Sequence, residues 1–481
     1  MASDRLTALD ESFLHLEDES THMHVAAAMV FEGEPPSYDD LIEMIEGRLH
    51  LVPRYRQRLA FVPYGQGRPK WVDDPHLNLG YHVRASALPA PGGEDQLKAL
   101  IGRVFSQQLD RDKPLWEMWL VHGLAPREAG GGERFALLSK THHALVDGIS
   151  GIDIVSVLLD SAPAPAAPPD PGRRWLPRPL PSRTELLMES LVERATAPAE
   201  VAASLAAIAR RPLAIASSAR DALTGVGALA WAGLNPAPST PYNERIGPHR
   251  RFTWVRGSLG DVKRLKNELG GTVNDVVLAT VAGALGRHLR RRGVDTDGLE
   301  LKAMIPVSVR SDEARGATGN QVAAMMAVLP VYCEDPVTRL EVVGEQMRAL
   351  KESGQAVGAQ ALTELSGFAP PTILSQAARL MSRQRVFNLV VTNVPGPQYP
   401  LYLMGRELSD IFPMVPLAQN QGLGVAIMSY NGRLNFGLNA DFDALPDLEQ
   451  LADDVADSLA DLADEADVKV KLERREPIST R

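Results

Sequence analysis

The chain carries a single cysteine, Cys333, among 481 residues. That excludes an internal disulfide and any zinc framework built on several thiolates, and a reducing cytoplasm is the expected setting. No run reaches the ~18 uninterrupted apolar residues of a membrane-spanning helix. The nearest approach, Ala222 to Leu234, is short and glycine-rich. The opening Met-Ala-Ser-Asp-Arg-Leu lacks the charged-then-apolar order of a signal peptide, so membrane contact is expected to be peripheral. Lysine is scarce, 10 residues against 40 arginines, and the net charge is −10. Nucleic acid is therefore not an expected partner, because phosphate binding wants basic clusters.

What remains is an ordinary soluble composition, 44% apolar and 23% charged, in a chain too long for one comfortable core. Strands and helices alternate in the first half. Met23 to Phe31, Trp116 to Leu124 and Phe135 to Thr141 read as strands; Tyr38 to Leu51, Asp95 to Leu109 and Ile149 to Leu159 carry helical spacing. Ser161 to Pro181 is proline-dominated, and Ser182 to Leu234 is alanine-rich with interspersed arginines. The latter reads as a connecting helical pair or as a basic amphipathic surface touching lipid. Alternation then resumes. Val262 to Leu269, Val273 to Arg291, Pro336 to Ser353 and Leu448 to Leu462 are expected helices; Leu299 to Val309, Val386 to Thr392 and Leu423 to Tyr430 are expected strands. Asn431-Gly432 predicts a two-residue hairpin into Leu434 to Leu438. The expected division is an N-terminal lobe at 1–160, a linker at 161–250 and a C-terminal lobe at 251–481.

The chemistry concentrates in Lys140-Thr141-His142-His143-Ala144-Leu145-Val146-Asp147-Gly148, between a predicted strand and a predicted helix. Neighbouring strand side chains point to opposite faces, so His142 and His143 cannot share a role. A metal site would need further ligands, yet there is no His-Glu-x-x-His and one cysteine. Two core histidines beside a plain Asp-Gly turn are the bland alternative. General-base catalysis by one neutral imidazole at the end of a rigid element fits the pattern best. Asp147 reads either as the carboxylate that orients the imidazole or as an ion-pair anchor of the turn. Gly148 permits a sharp turn and could lend its N–H to an oxyanion.

This motif resembles that of the acyltransferases related to chloramphenicol acetyltransferase and to peptide-synthetase condensation domains. Further blocks narrow the resemblance to the bacterial wax ester synthase/diacylglycerol acyltransferase family: Leu9-Asp10 with Phe13, Met23-His24-Val25, Pro114-Leu115-Trp116-Glu117, Asn274-Asp275, Pro306-Val307-Ser308-Val309-Arg310 with Gly319-Asn320, and Thr392-Asn393-Val394-Pro395-Gly396-Pro397. The resemblance implies an α/β protein of two acetyltransferase-like lobes with a tunnel between them, in which acyl-CoA and the acceptor meet at His143. His142 is then supporting, and Asp147 structural. The implied enzyme is an O-acyltransferase joining a long-chain acyl-CoA to diacylglycerol or a long-chain alcohol, at a membrane or lipid-droplet surface, with acyl-CoA as substrate and no cofactor. The alternatives are a related acyltransferase for a polyketide or carrier-bound substrate, and a non-catalytic lipid-binding protein on the same fold.

Asn274 and Asp275 have a local role too, since Thr272-Val273-Asn274-Asp275 is a capping box opening the next helix. The resemblance adds that the pair borders the tunnel. Trp116 shares a strand face with Met118 and Leu120 and reads as core, though its block makes it a candidate substrate contact. Arg310, Thr392 and Asn393 are further tunnel candidates.

Overall fold

The computed structural model describes residues 5–128, 130–146, 154–164, 175–193, 236–308, 322–352 and 386–470. Its first helix, α1 (Ala8–Leu16), starts where the Thr7 hydroxyl accepts the Asp10 N–H. The first half then supplies β1 (His24–Glu32), β2 (Gln57–Ala60), β3 (Lys70–Asp73), β4 (Val83–Ala87), β5 (Trp116–Leu124) and β6 (Arg134–His142). Its helices are α2 (Tyr38–Arg48), α3 (Leu79–His82), α4 (Glu94–Phe105), α5 (His143–Val146) and α6 (Ile154–Leu158). The second half supplies β7 (Arg250–Ser258), β8 (Glu300–Ser308), β9 (Val322–Pro330), β10 (Leu389–Pro395), β11 (Tyr402–Leu403), β12 (Arg406–Met414), β13 (Leu423–Tyr430) and β14 (Arg433–Asp441), with helices at Leu259–Leu269, Val273–Arg291, Pro336–Glu352 and Leu448–Glu465.

Two six-stranded sheets result, ordered β11-β12-β1-β6-β5-β4 and β7-β14-β13-β10-β8-β9. The strand period sorts each side chain of the first sheet into one of two cores. Met29, Phe31, Phe135, Leu137, Trp116 and Met118 pack into the core that includes Leu41 and Ile45 of α2. Ala28, Val30, Ala136 and Leu138 face α4 and, beyond it, Phe252 and Trp254 of β7. That second core joins the lobes. In the other half, Val273–Arg291 is buried along most of its length against Leu448–Glu465 and the second sheet. No single helix among the described residues is long and apolar enough to cross a membrane.

Several expected elements appear with nearly the expected bounds. Asn431 and Gly432 have φ of 43° and 79° and close the β13–β14 hairpin, with Tyr430 opposite Arg433. Thr272 and Asp275 form the reciprocal capping box. Within the expected C-terminal lobe at 251–481, one strand joins the first sheet: β12 pairs antiparallel with β1, Ala28 opposite Phe412. The expected linker is also more integrated than its composition suggests. Residues 183–193 are helical and tied to the first lobe by Arg5–Glu193 at 2.6 Å and Lys70–Glu189 at 3.1 Å. Tyr242 is buried in the second lobe, its hydroxyl 2.9 Å from His288 Nδ1. Residues 194–235, which carry most of the expected helical pair, lie outside the described residues.

Candidate active site

The motif begins on the strand that crosses the middle of the first sheet. Pairing of β1 with β6 sets His24 directly opposite His142, both fully buried. His142 Nδ1 accepts the Ala144 N–H at 3.0 Å. In the neutral ring the proton therefore sits on Nε2, which faces Glu17 Oε2 at 3.6 Å.

Glu17, immediately after α1, is the hub of the site. Its side chain is fully buried. Arg111 donates to Oε2 through Nη2 at 2.5 Å and Nε at 2.8 Å, while His24 Nε2 lies 3.4 Å from Oε1. Burial opposes the charge on Glu17, yet the neighbouring His142 and His24 outweigh it and hold the carboxyl well below the ordinary range. His24 goes the other way. Burial pushes it down to about 3 despite Glu17, so the ring is neutral near pH 7. The Leu109 amide also approaches His24 Nε2 at 3.4 Å; a neutral ring can serve one of the two, and the buried carboxylate is the partner that needs its proton.

His143 stands one residue further on, where the strand gives way to α5. Its backbone N–H donates to Met23 O at 2.8 Å. Its half-buried ring stacks on Phe13, with centroids 4.0 Å apart and planes 28° apart. The two histidines thus separate at the end of the strand: His142, the last residue of β6, is buried and faces a carboxylate, while His143, the first of α5, is partly exposed. Asp147, Gly148 and Arg310 lie outside the described residues.

Asn274 and Asn393 come together, Asn393 Nδ2 donating to Asn274 Oδ1 at 3.3 Å; Thr392, beside Asn393 on β10, is also half-buried. Asp275 closes its capping box, with Oδ2 accepting the Thr272 N–H at 2.8 Å. Trp116 belongs to the scaffold: it has no exposed surface, donates from Nε1 to Tyr55 O at 2.9 Å and stacks on His82. That is the core role expected from its strand face, and it leaves no surface for a substrate. Lys140, equally buried, is satisfied by the carbonyls of Val104 and Gln107 and by Glu117 at 2.7 Å.

Glu17 and Arg111 were not among the candidates read from sequence. Phe13 and His24 were read as parts of family blocks, without roles of their own. Glu17 sits far upstream in a segment with no local pattern, and its meaning appears once β1 and β6 pair. A cleft of ≈ 690 Å³ runs between α4 and the second lobe, bordered by Lys98, Arg103, Arg251 and Phe442, and no motif residue lines it. Among the described residues no group of His, Cys, Asp and Glu is placed to hold a metal ion.

Residues 6–277 match the model of the wax ester synthase/diacylglycerol acyltransferase catalytic domain, and residues 318–463 match that family's C-terminal domain. A probable diacylglycerol O-acyltransferase of Mycobacterium tuberculosis is 34% identical over 467 residues, covering 95% of each chain. Among solved structures, the wax ester synthase/diacylglycerol acyltransferase from Marinobacter aquaeolei superposes with a TM-score of 0.66 at 26% identity, covering 96% of this chain and all of that one. The starter condensation domain of rhizomide synthetase shares the fold, with a TM-score of 0.56 at 15% identity over 96% of this chain and 95% of that one. With both of its domains matched and the histidine pair set at the end of β6, the chain belongs to the wax ester synthase/diacylglycerol acyltransferase family of acyltransferases.

Proposed function

We propose that this acyltransferase moves a long-chain fatty acyl group from acyl-CoA to the hydroxyl of diacylglycerol or a long-chain alcohol, with His143 as general base. The observation that carries the role of His143 is its placement. It is the member of the pair with solvent access, and its backbone and ring are both fixed, through Met23 and Phe13. His142 is buried and its ring nitrogens face Ala144 and Glu17.

The chemistry follows from the acidities. An alcohol is far weaker an acid than imidazolium, so the proton passes to His143 as the oxygen–carbon bond forms. The tetrahedral intermediate then breaks its carbon–sulfur bond. The CoA thiolate, whose conjugate acid has a pKa near about 8.5, departs and takes the proton back from His143. No acyl-enzyme is required. General-base assistance supplies roughly 10²- to 10⁴-fold, and alignment of alcohol and thioester adds to it. Lipid acceptors place the working enzyme peripherally on the inner membrane face or on lipid droplets, and acyl-CoA enters as substrate with no further cofactor.

The test uses purified protein, labelled palmitoyl-CoA, and dioleoylglycerol or hexadecanol. Labelled triacylglycerol or wax ester is expected, and the better acceptor identifies the main product. His143→Ala should cut turnover by about 10²- to 10⁴-fold without lowering the unfolding midpoint. A folded wild-type protein that yields no labelled neutral lipid sinks the proposal. An active His143→Ala protein sinks the general-base role.

A further inference from the structure

We infer that Glu17 is a positioning residue for His143, acting through His142, and that α1 is the element that aligns the histidine pair. The inference rests on His143 being the base.

Phe13 and Glu17 are four residues apart, so they lie on one side of α1 a turn apart. The helix end is fixed there, because the Glu17 N–H donates to Phe13 O. Each of the two side chains engages a different member of the His142–His143 pair. Phe13 stacks on the His143 ring. Glu17 faces His142 Nε2, and its burial against Arg111 prevents it from swinging away. A further contact of Arg111, from Nη2 to Leu14 O at 2.9 Å, ties the guanidinium to the same helix.

The carboxylate reaches His143 by a short route. A negative charge opposite Nε2 selects the tautomer with its proton on Nε2, which leaves Nδ1 as an acceptor. Nδ1 then holds the Ala144 N–H, the peptide next to His143. The other side of His143 is held by its own N–H on Met23 O. Removal of the Glu17 carboxylate frees His142 to adopt the opposite tautomer, whose Nδ1–H repels the Ala144 N–H. The turn that carries His143 then loses one of its two anchors. The base stays present but misplaced, and misplacement of about 1 Å costs catalysis up to ~10²-fold.

Glu17→Ala and Glu17→Gln are assayed in the full chain, each with and without His143→Ala, beside histidine side-chain ¹⁵N NMR. Glu17→Ala should lower kcat about ten- to a hundredfold, leave KM for palmitoyl-CoA within about twofold, and move the His142 Nδ1 resonance from acceptor to donor. Glu17→Gln keeps an oxygen facing Nε2 and should recover part of kcat; it also serves as the readable variant if Glu17→Ala fails to fold. In the His143→Ala background neither substitution should lower activity further. Equal losses in both backgrounds, a raised KM with unchanged kcat, or an unmoved His142 tautomer would each overturn the proposal. An inactive His143→Ala protein beside a Glu17→Gln and Glu17→Ala pair of wild-type kcat overturns the positioning role alone. A fully active His143→Ala protein overturns the general-base reading and the route through it.

Discussion

His24 and Glu17 share one buried site and titrate in ways that reinforce each other. His24 falls from 6.5 to about 3, chiefly by burial, and His22, His82 and His288 shift down for the same first cause. A histidine held neutral in the fold takes up a proton when the chain unfolds below pH 6.5, so acid favours the unfolded state. For His24 alone, stability is full above 6.5 and declines by about 1.4 kcal/mol per pH unit as pH falls toward 3. Glu17 adds to the decline once the unfolded carboxyl protonates, below its ordinary 4.5. Urea unfolding followed across pH should therefore show a plateau above neutrality and a steep loss below pH 6.5. His24→Gln should flatten the slope by about one proton, and a wild-type midpoint that is flat or rising between pH 6.5 and 4 would contradict the assignment. At this scale the sequence exposed the histidines themselves, because adjacent histidines before Asp-Gly are rare. It hid their partners. Glu17 and Arg111 are ordinary charged residues that acquire meaning through pairing of distant strands, and the same holds for Asn393 beside Asn274.

Elements with a local cause were legible, and those defined by their neighbours were not. The β13–β14 turn needs two residues with positive φ, and Asn-Gly supplies them. The helix from Val273 opens on its own capping box. β12, by contrast, reads Arg-Glu-Leu-Ser-Asp-Ile-Phe-Pro-Met; a buried Asp410 and a proline break the alternation that would have marked it. Its seat is shaped by Gly437 of β14, where a Cβ would overlap the Pro413 carbonyl oxygen. Backbone cannot yield there as a flexible side chain could, so Gly437→Ala should push β12 away from β14 and cost about 1–3 kcal/mol. Gly47 supplies the contrast: it lies within α2 with nothing near its Cβ position, and Gly47→Ala should stabilise by up to ~1 kcal/mol. Chemical denaturation of the two variants checks the pair, and equal effects would show that the close approach of β12 and β14 carries no weight.

At the scale of the whole molecule, two lobes of alternating strands and helices were foreseeable, and the exchange of β12 between them was not, because strand partners are chosen across hundreds of residues by shape and charge. Asp410 shows what holds that exchange in place. It sits on β12, fully buried, and accepts from Arg127 of the first lobe at 2.5 Å, Arg256 of β7 at 3.1 Å and Arg433 of β14 at 2.8 Å. Burial would raise its pKa, but the arginines, Arg256 foremost, outweigh burial and hold the carboxyl ionised below the usual range. Arg256 is also held by Glu94 of α4 at 2.5 Å, so the cluster links both sheets and the helix between them. Asp410→Asn keeps the shape and removes the charge on which three guanidinium groups converge. Loss of one partner from a buried ion pair costs about 3–5 kcal/mol. Arg127 and Arg433 are about a third exposed and can turn toward water, so the lower end, about 3 kcal/mol, is expected. The cost should fall on the junction, lowering the thermal midpoint and, with it, activity on warming, while kcat at low temperature holds. A variant within about 0.5 kcal/mol of wild type would mean that the apolar contacts of Phe412 and Trp254, stacked at 4.3 Å, suffice to join the lobes and that the buried charge serves register instead of strength.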